Sequence, residues 1–258
     1  MSQPTRILFV SGEVAPFSNH SDTASIVRKL PEILHGTGHF ETRIMMPRYG
    51  TISERRCRLH EVIRLSGSSI KMGSRSETLK VKVASIPGIR LQVYFMDSVR
   101  FFKRKGLHHD KQGALFTDNA ERALFFARSI VETVRKLLWK PDIVHAFGWI
   151  SGLLPLVICN EYADEELFAE SKIIYTPDGV DAQASLTGDL IAKMKLVLNG
   201  DAKGLTMSEI GLMYADANAY PPSLEPDVED AVRFSEEADE MSRQAIALYN
   251  STLGMPAD

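Results

Sequence analysis

The chain has 258 residues, of which 44% are hydrophobic and 24% charged, a composition that supports a packed globular core and excludes disordered and collagen-like classes. Its formal net charge of −3 gives no global field for nucleic acid or an anionic bilayer, so neither is an expected partner. Cys57 and Cys159 lie far apart with no CxxC or metal-like spacing, which points to a reducing compartment and away from a disulfide framework or zinc module.

The first apolar run, residues 7–10, is too short for a signal-peptide core or a membrane span, and a cytoplasmic location is expected. It belongs to RILFVS (6–11), a continuous apolar stretch that predicts a strand buried on both faces of a parallel sheet. After the turn GEVAPFSNHSD, residues 23–35 place Ile26, Val27, Leu30, Ile33 and Leu34 at helical spacing, with Gly36 as a stop and Pro31 as a kink. ETRIMMP supplies the next strand and completes a βαβ unit. Between Leu59 and Met96 the pattern alternates through EVIRL, ETLKVKVASI and RLQVYFM, predicting antiparallel strands, a β-hairpin region inserted at an edge. DNAE opens a long helix, with Asp118 as its cap, Glu121 at the capping-box position, and Leu124, Ala127, Val131, Val134 and Leu138 as its buried stripe.

KPDIVHAFGWISGLLPLVIC reads as a strand (143–146), a turn and a helix (151–160) containing Pro155, and residues 172–175 form a further short strand that ends at TPDG. Strands alternating with helices predict a doubly wound, mainly parallel α/β sheet. Ligands in such sheets sit at the strand C-terminal ends, here the turns after Ser11, Ala146 and Tyr175. Beyond a Pro-rich break near 223–226, a carboxylate-rich stretch over 225–240 precedes Met241, Ala245 and Leu248. This predicts an acidic amphipathic helix with a solvated charged face, either docked on the domain or offered to a partner. The domain reading is therefore 1–223 for the α/β unit and 224–258 for the C-terminal helix.

The blocks ILFVSGEVAPF, MMPRYGTI, DNAER, PDIVHA followed by Trp149, and GLMYAD occur in this order. Together, over roughly residues 6–223, they resemble the N-terminal domain of bacterial glycogen and starch synthases. The resemblance implies a Rossmann-like fold equivalent to the N-terminal half of a GT-B glycosyltransferase, with glucan on this domain and ADP-glucose held mainly by a second one. The chain ends where that second domain would begin. In two-domain relatives the last helix crosses back onto the first domain, and residues 228–253 are expected to keep that packing.

The family's first βα turn, roughly EVAPFAKTGGLADV, reads EVAPFSNHSDTASI here. Asn19 stands for the lysine, and Ser21 and Asp22 stand for the glycines, so a cation is lost and a carboxylate gained where donor phosphates would approach. The family's downstream aspartate falls on Ser25. HAHDWH reads HAFGWI, which keeps His145 and Trp149 but puts Phe147, Gly148 and Ile150 in place of histidine, aspartate and histidine. The family's histidine-asparagine pair aligns with Asp178 and Gly179. Losses at three strand ends argue against conventional transfer, which depends on positioned electrostatic stabilisation of a departing nucleotide.

The expected function is that of a catalytically degenerate glycogen-synthase-like domain, a pseudoenzyme that binds a carbohydrate, sugar nucleotide or other metabolite, a protein partner or a second copy in the old cleft. The alternative is an ADP-glucose-dependent glucosyltransferase active only with a separate donor-binding polypeptide. No catalytic residue, cofactor or metal is assigned, and Gly12, Glu13, Asn19, Asp22, His145, Trp149 and Asp178 are the candidate ligand contacts. His145 is either such a contact or a structural histidine, and Trp149 either stacks on a sugar or packs under the following helix. His108, His109 and Asp110 have metal-ligand side chains, yet adjacent histidines in a loop rarely converge on one ion. Asp22 and Asp178 could pair across the cleft as hydrolase carboxylates. The absence of GxGxxG from the first turn argues against a dinucleotide oxidoreductase.

Overall fold

The apolar run at the N-terminus becomes β1 (Thr5–Ser11), buried from Ile7 onward, in a computed structural model that describes residues 3–89, 91–180, 182, 184–196, 198, 202–226 and 231–255. It is followed by α1 (Asp22–Gly36), β2 (Phe40–Pro47), the single turn α2 (Glu54–Cys57), β3 (His60–Glu61), β4 (Ser68–Met72), β5 (Arg75–Ser85) and β6 (Gln92–Asp97). Then come the short α3 (Val99–Phe102), the long α4 (Asn119–Leu137), β7 (Ile143–Phe147), a 3-10 turn (Trp149–Ser151) and α5 (Leu154–Glu161). The rest is β8 (Lys172–Thr176), α6 (Gly188–Met194), α7 (Met207–Tyr214), β9 (Ala217–Tyr220), β10 (Val232–Arg233) and α8 (Ala238–Thr252).

Among the described residues these strands make one ten-stranded sheet in the order β10-β9-β8-β7-β1-β2-β6-β5-β3, with β4 paired to β5. Every pair from β10 to β6 is parallel, and the pairs made by β5 are antiparallel. This is the doubly wound, mainly parallel α/β arrangement expected from the alternating pattern. β7 is buried at all five positions because it lies between two other parallel strands with helices on both faces. The register sets Ser11 beside Phe147 and Phe147 beside Thr176, so the turns after β1, β7 and β8 leave the sheet side by side.

Several local expectations are corrected. RLQVYFM is not confined to an edge hairpin, because β6 pairs in parallel with β2 and belongs to the main sheet. EVIRL yields only the two-residue β3. Asp118 makes no side-chain cap on α4, because its carboxylate is taken by a two-pronged pair with Arg104. Leu138, expected in the buried stripe, is 84% exposed at the left-handed C-cap of that helix. α5 starts three residues later than expected, with Pro155 in its first turn, where a missing N–H leaves no helical bond unmade.

The acidic C-terminal segment is not one helix from 225 onward. Val232–Arg233 joins the sheet edge, α8 begins at Ala238, and residues 227–230, including Val228, lie outside the described residues. The helix faces α1 and buries Met241, Ala245 and Tyr249. Among the described residues no helix is long and apolar enough to cross a membrane.

Candidate functional site

The turn between β1 and α1 is organised by one acid. Glu13 is 6% exposed, and its carboxylate accepts hydrogen bonds from Ser18 Oγ (2.5 Å), His20 N (3.0 Å) and Ser21 Oγ (2.9 Å), with His20 Nδ1 also 2.9 Å away. A carboxylate buried at this depth needs partners for its lone pairs, and these four supply them from within the turn. Ser18 and His20 went unread as site residues, and Ser21 was read only as a replaced glycine, because nothing in linear spacing says that three turn side chains will fold back onto one acid. The clue available was their type: three polar donors following a glutamate in a βα turn.

Gly12 begins this turn beside Ile150, whose Cγ2 would lie 2.9 Å from any Cβ at position 12. Asn19 and Asp22 are exposed. Asp22 Oδ2 accepts from Ser223 N at 3.2 Å, while Asp178 has other partners, so the structure gives the two aspartates no shared hydrogen bond.

His145 lies in the core. It is 0% exposed, with Nδ1 2.8 Å from Tyr249 Oη and Nε2 2.9 Å from Thr176 Oγ1, and its ring stacks on Phe147 at 4.0 Å. Burial pushes its pKa down to about 3, so the imidazole is neutral at ordinary pH. The candidate contact is corrected on this ground: both nitrogens are engaged inside the fold, tying α8 to the end of β8. Phe147 and Ile150 are likewise fully buried.

Asp178 and Gly148 share one space. Gly148 has φ +77°, and a Cβ there would meet Asp178 Oδ2 at 2.5 Å. Asp178 Oδ1 accepts from Trp149 N and Val180 N, each at 3.2 Å. Burial, opposed by these bonds and assisted by the charge of Glu13, raises the Asp178 pKa from its usual 3.8 to about 6.

Tyr49 completes the floor. It is buried, and its phenol is held above its ordinary pKa mainly by burial, with Arg122 pulling it down and Glu13 and Asp178 pushing it up. Arg122 is fully buried, donating from Nε to Phe101 O and from Nη1 to Asn119 Oδ1, with its guanidinium carbon 6.0 Å from the Tyr49 ring centroid and 5.1 Å from that of Phe116. Neither residue was singled out from sequence. The available signal for Arg122 was a charged residue beside the apolar stripe of α4.

Beside this floor lies a pocket of about 270 Å³ whose lining includes Trp149, Pro177, Gly179, Val180, Thr206 and Ser208. Trp149 is 5% exposed yet lines the pocket, with the His108 ring 6.2 Å away, edge to face. Among the described residues that line it there is no lysine or arginine. His109 Nδ1 lies 2.7 Å from Asp110 O, and Asp110 Oδ1 accepts from the N–H groups of Gln112 and Ala114, a loop-closing role. Among the described residues no group of three or more His, Cys, Asp or Glu side chains could hold a metal ion.

Comparison with known proteins agrees with this architecture. Residues 6–220 match the model of the starch synthase catalytic domain. The chain is 40% identical over 190 residues to a glycogen synthase of Chlorobium limicola, covering 73% of this chain and 39% of the relative. It is 36% identical over 217 residues to one from Chlorobium luteolum, covering 82% and 44%. It thus spans about two fifths of the length of these relatives. In structure it resembles the catalytic domain of starch synthase IV from Arabidopsis thaliana bound to ADP and acarbose, with a TM-score of 0.67 at 16% identity, covering 97% of this chain and 50% of that one. That likeness bears on the fold, a GT-B catalytic half, and the matches in sequence settle the family: the chain belongs to the glycogen and starch synthases, as a starch synthase catalytic domain.

Proposed function

We propose that this chain is a glycogen-synthase-type domain that binds a neutral carbohydrate in the pocket beside Trp149 and lacks the donor-phosphate chemistry of its family. The observation that carries the reading is the first turn. Glu13 draws Ser18, His20 and Ser21 around itself, Asp22 follows, and Asn19 stands where the family pattern has its lysine.

Coulomb energy decides against a phosphate here. Two unit charges about 4 Å apart interact by roughly 1 kcal/mol in water and about 4 kcal/mol near a protein surface. A pyrophosphate brought to this turn would meet the Glu13 and Asp22 carboxylates with no lysine or arginine in the turn to offset them. An uncharged sugar avoids that repulsion, and Trp149 with the hydroxyl-bearing Thr206 and Ser208 offers it an aromatic wall and hydrogen bonds. The chain then acts as an accessory carbohydrate-binding domain.

Glucose incorporation from ADP-glucose into glycogen by the purified chain tests this. No turnover above blank is expected, and robust transfer by this polypeptide alone would overturn the reading. A second reading, transferase activity completed by a separate donor-binding polypeptide, draws on the match in sequence to a starch synthase catalytic domain. It requires activity that appears only on mixing the two chains.

A further inference from the structure

The pocket beside Trp149 takes its indole from the turn leaving β7, Pro177, Gly179 and Val180 from the turn leaving β8, and Thr206, Met207 and Ser208 from the start of α7. One side chain bonds to both turns. Asp178 Oδ1 accepts from the backbone of Trp149 in the first turn and of Val180 in the second, while Oδ2 sits over Gly148. Only glycine at position 148 leaves room for this, so the carboxylate and the missing side chain form a matched pair. Asp178 is an acceptor for its own walls, and both hydrogen bonds go to atoms whose placement sets the indole and the Val180 side of the pocket.

We propose that Asp178 is the positioning residue of this pocket, fixing the Trp149 and Val180 walls through their backbone N–H groups, so that its charge state governs how tightly a sugar is gripped. The proposal rests on the carbohydrate reading given above. An ionised acceptor holds N–H donors more strongly than a neutral one, so the walls are firm when Asp178 is charged and slacken when it is protonated. The groups that face it are Glu13 from the β1–α1 turn, Tyr49 after β2 and Tyr175 within β8. Both tyrosines are held neutral by burial, which leaves Glu13 as the charged neighbour that opposes ionisation. His108 faces the indole itself and is the competing source of any pH effect on Trp149.

Calorimetric titration of the full chain with maltotriose between pH 5 and 8 tests the proposal. Affinity is expected to fall roughly three- to tenfold from pH 7.5 to pH 5, the size of effect that follows from weakening a charge-assisted hydrogen bond. Asp178→Asn keeps an acceptor oxygen, and it should bind at every pH as the unsubstituted chain does at pH 5. A flat pH profile in the unsubstituted chain, or an unchanged profile in Asp178→Asn, which would assign the effect to His108, overturns the proposal.

A second readout needs no ligand. With Trp139→Phe, Trp149 is the single indole, and its emission should show a transition near pH 6. If maltotriose gives no heat at any pH but this transition is present and Asp178→Asn removes it, the positioning role stands and the carbohydrate reading fails. If both are absent, both fail.

Discussion

A methyl group added at Gly148 would lie 2.5 Å from Asp178 Oδ2, in a backbone with φ +77°. Gly148→Ala should therefore cost on the order of 2 kcal/mol in chemical denaturation, and less when Asp178→Ala has removed the clashing oxygens, because the two positions share one space. The pH dependence of stability follows from two groups with opposite signs, the half-buried Asp178 and the buried His145. Asp178 rises from 3.8 to about 6, so the native state holds a proton that the unfolded chain has lost. Its contribution to stability is thus present below pH 3.8 and is lost as pH rises through 6. His145 falls from 6.5 to about 3, so its contribution is present above pH 6.5 and is lost as pH falls toward 3. Between about pH 4 and 6 the two slopes oppose each other. Asp178→Asn removes one of them: the variant should gain about 1–2 kcal/mol at pH 7.5 and lose stability steadily below pH 6.5, as urea titrations at stepped pH would read. A variant whose pH profile matched that of the unsubstituted chain would contradict this assignment.

α8 is held by a polar contact as well as by Met241 and Ala245, since Tyr249 Oη reaches the buried His145 Nδ1 at 2.8 Å. Tyr249→Phe leaves that nitrogen without its partner and should cost about 1–2 kcal/mol, with faster amide exchange concentrated in α8 if the helix detaches locally. Equal exchange rates in the two proteins would show that the bond does not hold the helix. Elements that bury both faces were the legible ones: β1, β2, β7 and β8 each show a compact apolar run that only a parallel sheet explains. β4, with the sequence SSIKM, was missed because only Ile70 and Met72 are buried, too few to stand out as alternation. β10 has two residues and no pattern to read. Asp118 looked like a cap, but a pair with Arg104, fourteen positions away, took its carboxylate. The candidate site was legible as three turns and a set of replaced residues. The closing of the first turn on Glu13, the seating of Asp178 on Gly148 and the loss of His145 into the core all depend on side-chain directions that one sequence does not carry.

At the scale of the whole molecule, the parallel sheet sets three turns side by side at its C-terminal edge, where a doubly wound fold presents its ligands. Around those turns are carboxylates, an indole and hydroxyl groups, while Arg122, the cation beneath the floor, is buried under aromatic rings. We propose that such a surface favours an uncharged polyol over a nucleoside diphosphate. Side-by-side calorimetry of the purified chain with maltotriose and with ADP, at pH 7.5 and low ionic strength, puts this to the test most directly. Saturable heat with maltotriose and none with ADP is the expected result, with the maltotriose heat lost in Trp149→Ala. Saturable binding of ADP, with or without the sugar, would contradict the proposed loss of phosphate chemistry at the first turn.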